Sequence, residues 1–170
     1  AAMVDKLADF DSTQCTWNYT GGRGVGHSFT RQALPMAWDF AETNPFNPAG
    51  ASLVAILDDI PAAIDAIAAS GLPSQVIRGS ATSLALPDGV LDAVITDPPY
   101  YDNVSYADLS DFFYAWLKRS VGDLYPEHFS GQGTPKKNEA VSDATRHDRD
   151  QARANGAYED MMSQSLAQAV

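Results

Sequence analysis

The chain is poor in cysteine, in positive charge and in long apolar runs. Its single Cys15 excludes an internal disulfide framework and leads to the expectation of a reducing compartment, the cytoplasm. No run approaches the ~18 apolar residues of a membrane span, and the N-terminus lacks a basic-then-apolar signal pattern, so no membrane partner is expected. The Asn18-Tyr19-Thr20 and Asn103-Val104-Ser105 sequons carry no meaning without secretion. Lys and Arg number 11 against 22 Asp and Glu, a net charge of −11, which argues against a broad basic face of the kind nucleic-acid binders show. The cations do cluster after residue 97, at Lys118-Arg119, Lys136-Lys137 and Arg146 to Arg153, where composition reads them as solvated charges. His27, His128 and His147 are too dispersed for a zinc site. Gly21-Gly22-Arg23-Gly24-Val25-Gly26 fails the spacing of a phosphate-binding loop and is followed by His27 rather than Lys, so it reads as a plain loop.

What is present centres on Asp97-Pro98-Pro99-Tyr100. It follows the apolar run Val90-Leu91-Asp92-Ala93-Val94-Ile95-Thr96, which predicts a buried strand that ends abruptly. Neither proline can donate to a sheet ladder, so the turn is stiff and rich in carbonyls. In open α/β sheets, ligands bind at such strand ends.

Around this corner the pattern reads as a single domain with a βαβ core over 51–120. Residues 1–50 form an irregular or helical lead-in, with Leu34, Trp38 and Ala41 at helical spacing before Asn44-Pro45. Leu53 to Leu57 fits a helix capped by Ser52 or a strand ending at Asp58, where Asp58 or Asp59 would sit as a ribose-holding acid; helix is the preferred reading. A helix from Pro61 stops at Gly71. Gln75 to Arg78 reads as a strand, Gly79 to Ser83 as a small-residue loop, and the strand to Asp97 completes a parallel βαβ pattern. Ser105 and Asp108 form a capping box for a helix whose apolar face (Leu109, Phe112, Phe113, Trp116 and Leu117) is expected to pack on the sheet. Residues 122–150 read as a polar loop and Gln151 to Val170 as a helix with a weak apolar stripe. Together these give an α/β fold with a partial parallel sheet flanked by helices. The chain opens without Met and its sheet looks incomplete, which leads to the expectation of a fragment.

The corner suits one chemistry in particular. An exocyclic base amine is conjugated into its ring and poorly nucleophilic. Methylating it requires acceptors for its hydrogens, which the Asp97 carboxylate and the Pro98 carbonyl can supply. Tyr100 offers a flat face for a flipped-out base, worth ~1–3 kcal/mol. Asp97-Pro98-Pro99-Tyr100 is identical to the D-P-P-Y signature of S-adenosylmethionine-dependent DNA amino-methyltransferases. The text from Asp97 to Arg119, with Thr30 to Phe46 and Thr134 to Glu139, resembles prokaryotic adenine-specific DNA methylases carrying a DUF1156 region.

This resemblance, over roughly residues 15 to 150, implies a Rossmann-like methyltransferase fold. It implies a transfer site at Asp97, Pro98, Pro99 and Tyr100, and contacts to a flipped base in DNA from Tyr100, Tyr101 and Asn103. The cofactor S-adenosylmethionine would lie beside Ser80 and Ala81, with Asp97 nearby. The family often has an acid where this chain has Ser80, and the F-x-G-x-G loop that holds the methionine end of the cofactor is nowhere in these residues. In the resembling proteins that loop lies upstream, so an upstream part of the same polypeptide is the expected partner. Methylation of RNA or of a small amine, and a non-catalytic interaction role, stay open beside adenine N6 methylation.

Overall fold

The computed structural model describes residues 1–18, 24–30, 36–48, 52–69, 71, 73–102 and 104–169. Residues 21–23 of the glycine-rich stretch, residues 31–35 of the lead-in and Asn103 fall outside them. The chain divides into two compact units, Ala1–Pro73 with Tyr106–Pro135, and Ser74–Ser105 with Lys136–Val170.

The first unit begins with α1 (Ala2–Phe10), which the sequence reading missed. Met3, Leu7 and Phe10 recur at i, i+4 and i+7, but no side chain caps the helix start. A two-stranded antiparallel hairpin follows, β1 (Trp17–Asn18) with β2 (Gly24–Val25). Gly26 lies so close to Thr16 that a Cβ would come 3.1 Å from the threonine hydroxyl, and its N–H donates to the Thr16 carbonyl at 2.7 Å. Cys15 is fully buried, with its sulfur 3.3 Å from the Ser28 hydroxyl and 3.4 Å from the Asp9 carbonyl, so it serves as a small core residue.

The helix expected near 34–41 does not form over its described residues. Phe40 bridges to Thr16, and the Ala41 N–H donates to the Cys15 carbonyl at 3.0 Å. Those backbone groups serve long-range pairs and are lost to a helical ladder.

α2 (Leu53–Ala68) is one continuous helix. The Ser52 hydroxyl accepts from the Ala55 N–H at 3.2 Å, which bears out the helical reading of 53–57. Pro61 sits inside α2 rather than opening a second helix, and Asp58 and Asp59 lie mid-helix on its exposed side. Ile56 is buried. Gly71, at φ +62°, ends the element in the left-handed region as its sequence position predicts.

α3 (Tyr106–Val121) starts immediately after Ser105. Its apolar face packs on Phe29, whose ring lies 5.1 Å from Phe112 and 5.0 Å from Phe113. No sheet is involved. Residues 122–135, the first part of the polar loop expected over 122–150, fold back along α3. The Thr134 N–H donates to Asp111 Oδ1 at 2.9 Å, and the Tyr114 hydroxyl donates to the Gly131 carbonyl at 2.8 Å. Gly133 approaches Asp111 so closely that a Cβ would lie 2.8 Å from its carboxylate.

The second unit holds α4 (Gln151–Ala167), two short 3-10 turns at Lys136–Asn138 and Ala144–Arg146, and the irregular stretch that contains the corner. Val141, Ser142 and Ala154 are buried here. Asp150 caps α4 by accepting from the Ala152 and Arg153 N–H groups at 2.9 and 3.1 Å.

The expected α/β fold is contradicted in this unit. Residues 75–78 and 90–97 form no regular secondary structure and belong to no sheet, and among the described residues the only strands are β1 and β2. A run apolar on both faces becomes an inner strand only when neighbours pair both its edges and elements cover both its faces. The described residues supply neither, and Val76 and Ile95 are each 95% exposed. The fold is mainly helical, not a Rossmann-like parallel sheet.

Candidate functional site

The corner directly follows the apolar run 90–96. Asp97 and Pro98 are exposed, Pro99 is half-buried, and the Tyr100 ring is 59% exposed. The Tyr100 hydroxyl donates to Asp97 Oδ1 at 3.4 Å, which brings the acid and the flat ring of the motif together on one side of the turn. The three-residue separation allows this because the two prolines between them fix the backbone.

The next residue is strained. Tyr101 has φ 35°, in the left-handed region that a bulky side chain adopts at a cost of about 1–3 kcal/mol. Three contacts hold it there. Its carbonyl accepts from the Ser142 N–H at 2.9 Å, its hydroxyl donates to Glu159 Oε1 at 3.0 Å, and its ring lies 4.6 Å from that of Tyr158. Partial shielding from water, and after it the Glu159 carboxylate that accepts the hydroxyl's hydrogen bond, push the Tyr101 phenol above its ordinary range. The Tyr158 hydroxyl donates to the Pro99 carbonyl at 2.7 Å. Tyr158 and Glu159 escaped the sequence reading because they stand some sixty positions downstream, on a helix of weak amphipathicity. The one available signal was Tyr158 four residues after the buried Ala154, on the same face of α4.

Ser80 and Ala81 stand apart from this arrangement. The Ser80 hydroxyl lies 2.8 Å from that of Thr82 and accepts from the Thr82 N–H at 3.2 Å, while the Ser80 carbonyl accepts from the Ser83 N–H at 3.1 Å. The turn closes on itself, with the Ser80 hydroxyl and carbonyl both engaged inside it. Asn103, the remaining candidate, lies outside the described residues.

Several cations that follow the corner are engaged by other side chains. Arg146 pairs with Glu139 at 2.7 Å and with Asp143 at 3.5 Å, and Arg153 pairs with Asp148 at 2.9 Å. In the first unit the Lys118 ammonium donates to the Gly131 carbonyl at 2.6 Å, and the Arg119 guanidinium lies 5.5 Å from the Trp116 ring centre. Among the described residues no group of three or more His, Cys, Asp or Glu side chains is placed to hold a metal ion, and no helix is long and apolar enough to cross a membrane. None of the protein-family models, curated proteins or solved structures compared with the chain matches it.

Proposed function

We propose that residues 97–100 are the base-holding part of a DNA amino-methyltransferase site, with adenine N6 as the methylated nitrogen. One observation carries this reading: a solvent-facing carboxylate and an exposed tyrosine ring are tied to each other across a rigid Pro-Pro turn. Asp97 accepts a hydrogen of the exocyclic amine, which draws the nitrogen toward tetrahedral geometry and frees its lone pair. Tyr100 stacks on the base. Positioning and charge placement then carry the chemistry, without a covalent enzyme intermediate.

S-adenosylmethionine supplies the methyl carbon in this reading. Residues 80 and 81 do not fit the cofactor: the Ser80 hydroxyl and carbonyl are engaged by Thr82 and Ser83 within the turn, and no F-x-G-x-G loop is present. Residues outside these 170 hold the donor in this proposal.

A second reading, a non-catalytic interaction module, is favoured by the net charge of −11 and by acids that already neutralise Arg146 and Arg153. Both features weaken any phosphate-backbone contact. The two readings separate on a single-stranded oligonucleotide carrying 2-aminopurine, an adenine analogue whose fluorescence is quenched by stacking. The methyltransferase reading expects quenching that is lost in Tyr100→Ala and weakened in Asp97→Ala. Absence of quenching, or quenching indifferent to both changes, refutes it in favour of the module.

A further inference from the structure

We infer that Tyr158 and Glu159 of α4 are positioning residues for the Asp97–Tyr100 corner, aiming the Tyr100 ring; this rests on the reading of the corner as a base-holding site. The corner has few handles of its own. Pro98 and Pro99 lack N–H groups, so carbonyls and side chains are what can tie it down.

Both carbonyls flanking Tyr100 in the chain are taken. That of Pro99 accepts from the Tyr158 hydroxyl at 2.7 Å, and that of Tyr101 accepts from the Ser142 N–H at 2.9 Å. Tyr100 is therefore fixed by its backbone on either side, while its ring remains 59% exposed and its hydroxyl reaches Asp97. A residue kept only for packing would bury its ring; here the backbone is anchored and the ring is presented.

The anchors are themselves secured. The Ser142 hydroxyl donates to Asn155 Oδ1 at 2.7 Å, and the Gln151 side-chain amide donates to Ser142 Oγ at 2.9 Å and to Asn155 Oδ1 at 2.8 Å. This closed polar triangle, around a buried serine, locks the 142 segment to the first turns of α4. Glu159 completes the arrangement by accepting from the Tyr101 hydroxyl at 3.0 Å, which holds Tyr101 in its left-handed conformation. Tyr158 and Glu159 are adjacent on α4, so one turn of helix governs both the carbonyl before Tyr100 and the side chain after it.

The test uses the whole chain with Tyr158→Phe, Glu159→Ala and Glu159→Gln. Tyr158→Phe keeps the ring beside Tyr101 and removes only the hydroxyl; Glu159→Gln keeps an acceptor. Amide hydrogen exchange is the ligand-free readout. Loosening the corner is expected to speed exchange of the Ser142 amide, whose N–H donates to the Tyr101 carbonyl, roughly fivefold to tenfold in Tyr158→Phe and Glu159→Ala, with Glu159→Gln near wild type. Exchange elsewhere in α4 is expected to stay unchanged. The second readout is affinity for the 2-aminopurine oligonucleotide, expected to fall roughly fivefold to tenfold in the same two variants. Unchanged exchange at Ser142 overturns the inference, as does faster exchange with undiminished affinity in Tyr158→Phe. A wild-type chain that does not bind the oligonucleotide refutes the base-holding reading instead, and exchange alone then decides whether α4 anchors the corner.

Discussion

Two apolar stretches of comparable strength meet opposite fates in this molecule. In α3, Phe112 and Phe113 close on Phe29, and the loop that follows returns to hydrogen-bond with Asp111 and Tyr114. In residues 90–96, Val90, Leu91, Val94 and Ile95 are all exposed, and the stretch belongs to no sheet. The difference lies in where each element finds its hydrogen bonds. A helix satisfies its backbone within itself and needs only one covered face, whereas a strand needs neighbours for its backbone and cover for two faces.

The comparison is broken most easily by truncating matched apolar side chains. Ile56→Ala, in α2, removes a side chain only 1% exposed and is expected to cost about 2–5 kcal/mol in urea unfolding. Ile95→Ala, at a residue 95% exposed, is expected to stay within about 0.5 kcal/mol. A large loss in Ile95→Ala would mean that the 90–96 stretch is covered in solution. Next in size, Thr134→Val deletes the hydroxyl that lies 2.7 Å from Asp111 and is expected to cost about 1 kcal/mol, with faster protease nicking within 122–135.

Two carboxylates sharpen the contrast through pH, with opposite signs. The Thr145 hydroxyl bond to Asp143, and after it the Thr145 N–H and Arg146, hold the Asp143 carboxyl below its usual 3.8 despite partial burial. Its contribution is complete above that value and is lost as pH falls through the lowered one, so Asp143→Asn is expected to flatten the acid limb of the stability curve below about pH 4. Burial raises the Asp11 carboxyl, which has one buried oxygen without a partner and lies at the C-terminal end of α1. Protonation there favours the folded state, so stability from this group grows as pH falls through the raised value. Asp11→Asn is accordingly expected to stabilise by about 0.5 kcal/mol at pH 7, an advantage that fades in acid and is read from melting curves at the two pH values.

Elements with local signals were legible in the sequence. Ser52 as a cap, Gly71 as a stop, the aromatic face of α3 and the extent of α4 were all readable from propensity and spacing. α1 was missed for want of a capping side chain. The strands at 75–78 and 90–97 were expected because their composition suits a sheet interior, but composition says nothing about whether pairing partners are present. The corner itself was legible as four residues. Its support from Tyr158, Glu159 and Ser142 was not, because those contacts join positions about forty to sixty residues apart, two of them on a helix with little periodic signal.

The most direct measurement of the central claim is a map of methylated adenines in the genomic DNA of a host carrying the parent gene, the same host without it, and a host carrying Asp97→Ala. N6-methyladenine at a fixed short sequence in the first, and its absence from the other two, is the predicted result. Methylation that persists in Asp97→Ala, or a map unchanged by the gene, would contradict it.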